Sequence, residues 1–466
     1  MSTFAGKHVL VVGLGESGLA MARWCGRQGA RLRVADSREA PPGLAALQQD
    51  VPLAEIISGA FGSEVLDSID LVAVSPGLDP RTGVIAEAYR RGLAVTGEMS
   101  LFAAALNDLG VRNRTRIIAI TGTNGKTTTT ALTASLAAAT GVDAVAAGNI
   151  SPSALDVLME RLDGGEDLPA CWVLELSSFQ LETMNGLDPD AAAVLNVTDD
   201  HLDRYADLAD YAATKAKVFQ GGGAQVLNRE DAVVCSMALP GRRVVGFSTT
   251  TPAQEGDYGL TGQGEECWLA CGAERLMPLS ALPIAGRHNA ANVLAALALC
   301  QTGLGLAPQS LLGAVRAFRG LPHRVELIGE RGDGVRFYDD SKGTNVGATV
   351  AALDGLDGTV VLIAGGDGKG QDFSPLAAAL GRRARAVVLI GRDAARIEAA
   401  VRSSGVVIEH AASLEDAVVR AAALAQGGDA VLLSPACASL DMFRNYAHRA
   451  AVFIDAARGL AGVRPI

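Results

Sequence analysis

Short runs of β-branched and aliphatic residues recur along the chain, each followed by a polar or glycine-bearing turn and then a longer stretch of helical composition. This alternation predicts an α/β protein built from mostly parallel sheets. His8 to Val12 reads as a strand, the residues after Gly18 as an amphipathic helix, and the run ending at Asp36 as a second strand. Ile69 to Val74 is a further strand, and Glu98 to Leu106 is helical. Ile117 to Leu132 repeats strand, glycine loop and helix, followed by strands at Cys171 to Leu176 and Ala191 to Val197. Ala224 to Ser280 has only brief apolar runs around a Gly/Thr/Glu-rich middle and reads as variable sheet and loop. A long Ala- and Leu-rich helix then opens near Gly286 and runs through Cys300, with Asn289 as a candidate cap. Strands at Val335 to Tyr338, Thr359 to Ala364, Ala386 to Ile390 and Ala430 to Leu433 make a last α/β unit.

The 466 residues are about three times a typical domain length. The polar, basic stretch NDLGVRNRTR and the Gly320 to Pro322 hinge divide the chain into expected domains 1–103, 104–320 and 321–466. Forty basic against fifty-one acidic residues give a net charge of −11, which argues against a nucleic-acid partner. Seven cysteines without a CxxC pair suit buried thiols in a reducing cytoplasm better than disulfides or a zinc site. Glu16 breaks the only early apolar run, and no uncharged apolar run reaches the ~18 residues of a membrane span. A cytoplasmic monomer is expected.

Three groups of motifs carry chemistry. Gly13-x-Gly15-x-x-Gly18 with Asp36 at the next strand end is a diphosphate fingerprint, which NAD, FAD or a UDP-sugar would each satisfy. Ser75-Pro76-Gly77 ends another strand of the same unit and is assigned to the same ligand. Gly122-Thr123-Asn124-Gly125-Lys126-Thr127 offers backbone N–H groups, a helix N-terminus and a lysine to phosphate, with the Thr127 hydroxyl available to Mg²⁺. Glu175 and His201, at later strand ends, are natural metal or substrate contacts. Lys215 and Lys217, by pattern alone, read as solvated lysines. In the last unit the strand ends DDSKGTN, GGDGKG and SPACASLD could line one crevice and favour an anion site.

In combination, GTNGKT, ELSSFQLE, NVTDDHLDRY, LPHRVE, DDSKGTN, GGDGKG and SPACASLDMF resemble the Mur ligase family over essentially the whole chain. The resemblance implies a Rossmann-like UDP-binding domain, a central P-loop-type ATPase domain and a C-terminal Rossmann-like domain that binds the incoming amino acid. SPACASLDMF points within the family to ATP-dependent addition of D-glutamate to UDP-N-acetylmuramoyl-L-alanine through an acyl phosphate, in peptidoglycan precursor synthesis. Carried over by position, ATP would be held by Gly122 to Thr128, including Thr123, Asn124, Gly125, Lys126 and Thr127, and by Asn289, Asn292, Arg324, Asp340 and Lys342. Mg²⁺ would take Thr127, Glu175, His201 and Lys215, the lysine as a carbamate, since an ammonium would repel the ion. Asn149, Ser177 and His201 would face the substrate; Lys126, His201, Lys215, Asn149 and Lys342 would be catalytic. UDP would lie over Gly15, Glu16, Ser17 and Gly18 with Ser37, Arg38, Ser75 and Gly77, and D-glutamate against Thr344, Lys369, Ser439, Leu440 and Tyr446. Glu16 puts an acid inside a diphosphate loop, so it is expected to point away or to sit beside the uracil. Tyr446 stands where the family pattern has phenylalanine. Competing readings are a sibling ligase or folylpolyglutamate synthase with another amino acid, or an NAD-dependent oxidoreductase.

Overall fold

The structure, a computed structural model, describes residues 4–201, 204–356 and 358–466. Leu202 and Asp203 of the NVTDDHLDRY motif lie outside the described residues. Among those described, the strands form three sheets in chain order.

The first sheet contains β1 (His8–Val12), β2 (Arg31–Asp36), β3 (Glu55–Ser58), β4 (Leu71–Val74) and β5 (Ala94–Thr96) in the order β3-β2-β1-β4-β5. All its pairs are parallel. Every residue of β1 is buried, as expected of a central strand covered on both faces. The strand order reverses on either side of β1, so a crevice opens at its carboxyl end, where the Gly13 turn lies. The third strand of the sequence reading begins at Leu71 and not at Ile69, because Asp70 turns back to accept from the His8 amide at 2.8 Å.

The second sheet holds β6 (Arg116–Thr121), β7 (Ala144–Gly148), β8 (Cys171–Glu175), β9 (Ala191–Val194), β10 (Ala224–Asn228), β11 (Val244–Phe247), β12 (Tyr258–Thr261), β13 (Trp268–Cys271) and β14 (Glu274–Pro278). Their order is β14-β13-β12-β11-β10-β9-β6-β8-β7. The stretch read as variable sheet and loop is thus a continuation of one sheet, parallel through β12 and then antiparallel. β6 lies between β9 and β8, a second switch point, and delivers the GTNGKT loop at its carboxyl end. Behind it the helix Lys126–Ala138 packs on the helix Arg287–Leu304, whose segment Val293 to Cys300 is almost fully buried and therefore apolar on every side. Gly286, not Asn289, caps that second helix; the Asn289 amide instead donates to the Ala285 carbonyl at 2.7 Å.

The third sheet comprises β15 (Glu326–Arg331), β16 (Arg336–Asp339), β17 (Val360–Gly365), β18 (Ala384–Ile390), β19 (Val407–His410), β20 (Ala430–Leu433) and β21 (Val463–Pro465). In the order β19-β18-β17-β20-β16-β15-β21, β17, β20 and β16 are parallel neighbours, so the three motif-bearing strand ends emerge side by side. No helix among the described residues is long and apolar enough to cross a membrane. The cysteines are unpaired, and most are buried; Cys235 is exposed, against the expectation of buried thiols throughout.

Candidate functional site

The phosphate loop is held in shape before any ligand is considered. Asn196, just past β9, accepts from the Asn124 amide at 2.8 Å and returns a bond to its carbonyl at 3.1 Å. The Thr123 hydroxyl accepts from the Thr198 amide at 3.0 Å. Gly125 must be glycine for two reasons: its φ is +83°, and a Cβ there would strike the Asn292 side chain. Lys126 begins the helix, and its Nζ is held by the Gly122 and Thr123 carbonyls at 2.9 and 2.8 Å.

Around this loop the structure gathers cations. Lys215 is 1% exposed, against the pattern-only reading of a solvated lysine, while Lys217 is exposed as that reading expected. The Lys215 Nζ donates to the Gly122 carbonyl at 2.9 Å and lies 4.3 Å from the centre of the Tyr211 ring. Burial and the neighbouring Lys126 charge drive its pKa well below the usual lysine range, with Asp200 opposing. Lys126 is depressed as well, first by burial and further by Arg324 and Lys342, against Glu175 and Asp200. Opposite them, Glu175 is buried at the end of β8. Its Oε1 accepts from the Asn149 amide at 2.6 Å, and its Oε2 has no hydrogen-bond partner among the described residues. His201 has a left-handed φ of +54° and its ring lies 4.7 Å from that of Phe179. Ser177 is engaged in a capping box with Gln180, so its hydroxyl shapes the turn after β8.

The third unit completes the site. Arg324 Nη2 donates to the Thr127 hydroxyl at 2.7 Å, and Asn345 donates to the Asn124 side chain at 3.1 Å. A cavity of about 300 Å³ between the units is walled by Thr128, Asn289, Asn292, Arg324, Asp340 and Lys342, with His288 and Asn196. Burial raises the Asp340 carboxyl to about 7, against the Ser434 hydroxyl and the Arg324 charge.

The three strand-end loops beyond it are stitched together. The Ala436 amide donates to the Gly343 carbonyl at 3.0 Å, and Asp367 and Ala438 exchange amide bonds at 3.0 and 2.8 Å. Thr344, Lys369 and Ser439 thereby sit on joined loops; Ser439 is buried and Leu440 is 71% exposed. Tyr446 opens the next helix, with the Lys342 Nζ 5.0 Å from its ring centre. Arg449, which motif reading passed over, ties this corner from within. Fully buried, it donates to the Ser341 hydroxyl and carbonyl and to the Cys437 carbonyl at 3.1, 2.8 and 3.1 Å. Arg449→Ala is expected to cost about 3 kcal/mol of stability, because buried acceptors lose a charged donor. An unchanged urea midpoint would contradict that role.

In the first unit, a cavity of about 880 Å³ is walled by Gly13, Ser37, Arg38, Ser75 and Gly77, among others. Gly15, Glu16, Ser17 and Gly18 stand outside that wall, at the start of the helix Glu16–Arg27. A Cβ on Gly18 would run into the Gly13 carbonyl, so this glycine serves close helix packing. Asp36 accepts from the Leu14 amide at 2.7 Å and from Arg38, which holds its carboxyl far below the usual range. Glu16 is exposed and accepts from the Ser151 hydroxyl of the central unit at 2.8 Å.

Comparisons with known proteins agree with this arrangement. Residues 7–97 match the Mur ligase MurD-like N-terminal domain, 120–300 the Mur ligase middle domain, and 323–437 the Mur ligase glutamate ligase domain. The chain is 72% identical over 464 residues to the UDP-N-acetylmuramoylalanine--D-glutamate ligase of Aromatoleum aromaticum, covering 100% of both chains. It is 52% identical to the enzyme of that name from Nitrosospira multiformis, over 98% of this chain and 97% of the other. Among solved structures it is similar in fold to the UDP-N-acetylmuramate-alanine ligase of Thermotoga maritima, with a TM-score of 0.59 at 20% identity, over 97% and 99% of the chains. A pseudomurein peptide ligase type C from Methanothermus fervidus gives the same TM-score at 16% identity, over the same shares. Family models in this order over three successive sheets, and a full-length relative of such identity, make this chain a member of the Mur ligase family.

Proposed function

We propose that the protein is an ATP-dependent ligase that adds D-glutamate to UDP-N-acetylmuramoyl-L-alanine in peptidoglycan precursor synthesis. The observation that carries this reading is the convergence of Lys126, Arg324 and Lys342 on one phosphate loop that also offers its backbone N–H groups at a helix start. Cations and oriented donors gathered at one loop suit a triphosphate and a phosphoryl group in transfer. The full-length relatives named for D-glutamate support the choice of amino acid.

In this reading the domains divide at 103/104 and 320/321. The Gly122 to Thr128 loop cradles the phosphates, Asn289 and Asn292 lie along the adenine, and Asp340 and Lys342 approach from the third domain. A substrate carboxylate oxygen attacks the γ-phosphorus, and ADP leaves as the acyl phosphate forms. The D-glutamate amine then attacks the acyl carbon, loses a proton, and inorganic phosphate departs. Lys126 and Lys342 offset the charge that accumulates when these anions meet, and Asn149 and His201 orient the carboxylate. Thr344, Lys369, Ser439, Leu440 and Tyr446 receive D-glutamate, with Lys369 and the hydroxyls as donors to its carboxylates.

The donor set also fits Mg²⁺. The buried Glu175 Oε2, at the end of β8, lacks a partner among the described residues. The Thr127 hydroxyl, in the first turn of the helix after the phosphate loop, would exchange its Arg324 donor for the ion, whereas Lys215 suits a cation only as a carbamate. Bound there with His201, the ion would neutralise phosphate charge. UDP is assigned to the Ser37, Arg38, Ser75 and Gly77 cavity and the adjoining Gly15 to Gly18 turn.

The test is phosphate release from ATP with UDP-N-acetylmuramoyl-L-alanine and, separately, D-glutamate, L-glutamate, L-alanine or diaminopimelate. Release with D-glutamate alone is expected. Release with another of these would discard the roles given to Ser439 through Tyr446.

A further inference from the structure

Glu98 is a buried acid that the reaction does not use. It is 2% exposed and is the first residue of the helix Glu98–Asp108, which passes from the first sheet to the second. Its Oε1 accepts from the Ala154 amide at 3.0 Å, and that amide opens the central helix Ala154–Gly164. The Leu155 amide and the Ser17 hydroxyl also face the carboxyl group, and Ser17 is the second residue of the helix that follows the Gly13 turn. Three helix N-termini, from two domains, therefore converge on one carboxylate. Burial works against the charge and lifts the group to about 7, with Asp156 adding to the rise. Its Oε2 closes no hydrogen bond of ordinary geometry among the described residues.

The neighbouring contacts have a common direction. Glu16 is bonded to Ser151, and Arg23 to Asp156 at 3.2 Å, so the first helix of the UDP domain grips the central segment 151–156 at both ends. Asn149 begins the turn that leads into this segment, and its amide is fixed on Glu175. On the other side, Ser100 donates to the Thr183 carbonyl at 2.9 Å and accepts from the Asn185 amide at 2.8 Å. A Cβ on Gly97 would strike the Thr183 side chain, so the junction is also closely packed.

We propose that Glu98 is a positioning residue that fixes the span between the Gly13 to Gly18 turn, which holds the diphosphate, and the Asn149 turn, which holds the reacting end of the same substrate. Through it, binding of the remote uridine diphosphate aligns the carboxylate for attack. This rests on the assignment of the first domain to UDP. A long substrate gains rate from its non-reacting end only if the two sites are rigidly related.

The experiment compares kcat/KM for UDP-N-acetylmuramoyl-L-alanine and for N-acetylmuramoyl-L-alanine 1-phosphate, which lacks the uridylyl group, in the full-length protein. The wild type is expected to prefer the complete substrate strongly. In Glu98→Ala that preference should fall by about tenfold or more, with the change confined to the complete substrate. Glu98→Gln keeps an oxygen for the Ala154 amide and should recover most of it. An equal fall on both substrates, or no fall, overturns the proposal. A wild type that treats both substrates alike would instead remove the UDP assignment itself. Should Glu98→Ala not fold, Glu98→Met, which keeps most of the volume and removes both carboxylate oxygens, is measured on the same two substrates. The same selective fall on the complete substrate is expected, and an equal fall on both, or none, overturns the idea.

Discussion

Lys126→Ala is expected to lower ATP-dependent phosphate release by about a thousandfold while UDP-substrate binding persists. The reason lies in what surrounds the ammonium. Lys126 is the first residue of its helix, so its charge adds to the partial positive charge of the helix end at the one place where loop N–H groups also converge. Arg324 and Lys342 reach the same site from another domain and cannot replace it, because neither is fixed to the loop carbonyls of Gly122 and Thr123 as Lys126 is. The loop should survive the substitution, since Asn196 and Thr198 hold it independently. Calorimetric titration with the UDP substrate separates the two effects. Comparable turnover in the mutant would end the phosphoryl-transfer mechanism.

The elements that position this site were legible because their burial leaves a simple trace. Ile117 to Ile120 are covered on both faces and appear as an unbroken apolar run ahead of the glycine loop. The glycine spacings likewise declared strand-to-helix turns. β12 to β14 were harder to see: they are short, paired antiparallel near the sheet margin, and separated by Gly- and Glu-rich turns, so no period of two persists long enough to register. Asn289 illustrates a different limit. Its residue type and its place near a helix start suit a cap, but the helix begins two residues earlier and its side chain turns to Ala285. Asn196 and Arg449 were missed because their partners, mostly backbone groups, are brought near only by strand order, β9 beside β6 and β16 beside β20. The corner at Glu98 depends in the same way on which helix ends meet.

Lys215 had a signal that pattern reading did not use. Leu208, Tyr211, Ala212 and Lys215 follow one another at the helical spacing of an inward face, so the lysine occupies an apolar stripe. The structure buries Tyr211, Ala212 and Lys215 together. A lysine kept there as an ammonium is unfavourable twice over, through lost hydration and through repulsion from Lys126. Both effects raise the neutral fraction of the amine, the form that adds CO₂. Carbamylation would then exchange a positive neighbour of Lys126 for a negative one and relieve the repulsion that depresses it.

Activity in CO₂-depleted buffer is therefore expected to rise when bicarbonate is added, and to fall as pH is lowered, because protonation removes the reacting amine. Lys215→Ala should lose about a hundredfold or more in turnover and regain part of it with a small carboxylate such as acetate, which can supply the missing oxygen ligand. The bicarbonate response should be absent from that mutant, which separates a carbamate at this residue from a general effect of the buffer. Full activity of Lys215→Ala without acetate would rule the carbamate out, and the buried amine would then serve only to hold the Gly122 carbonyl.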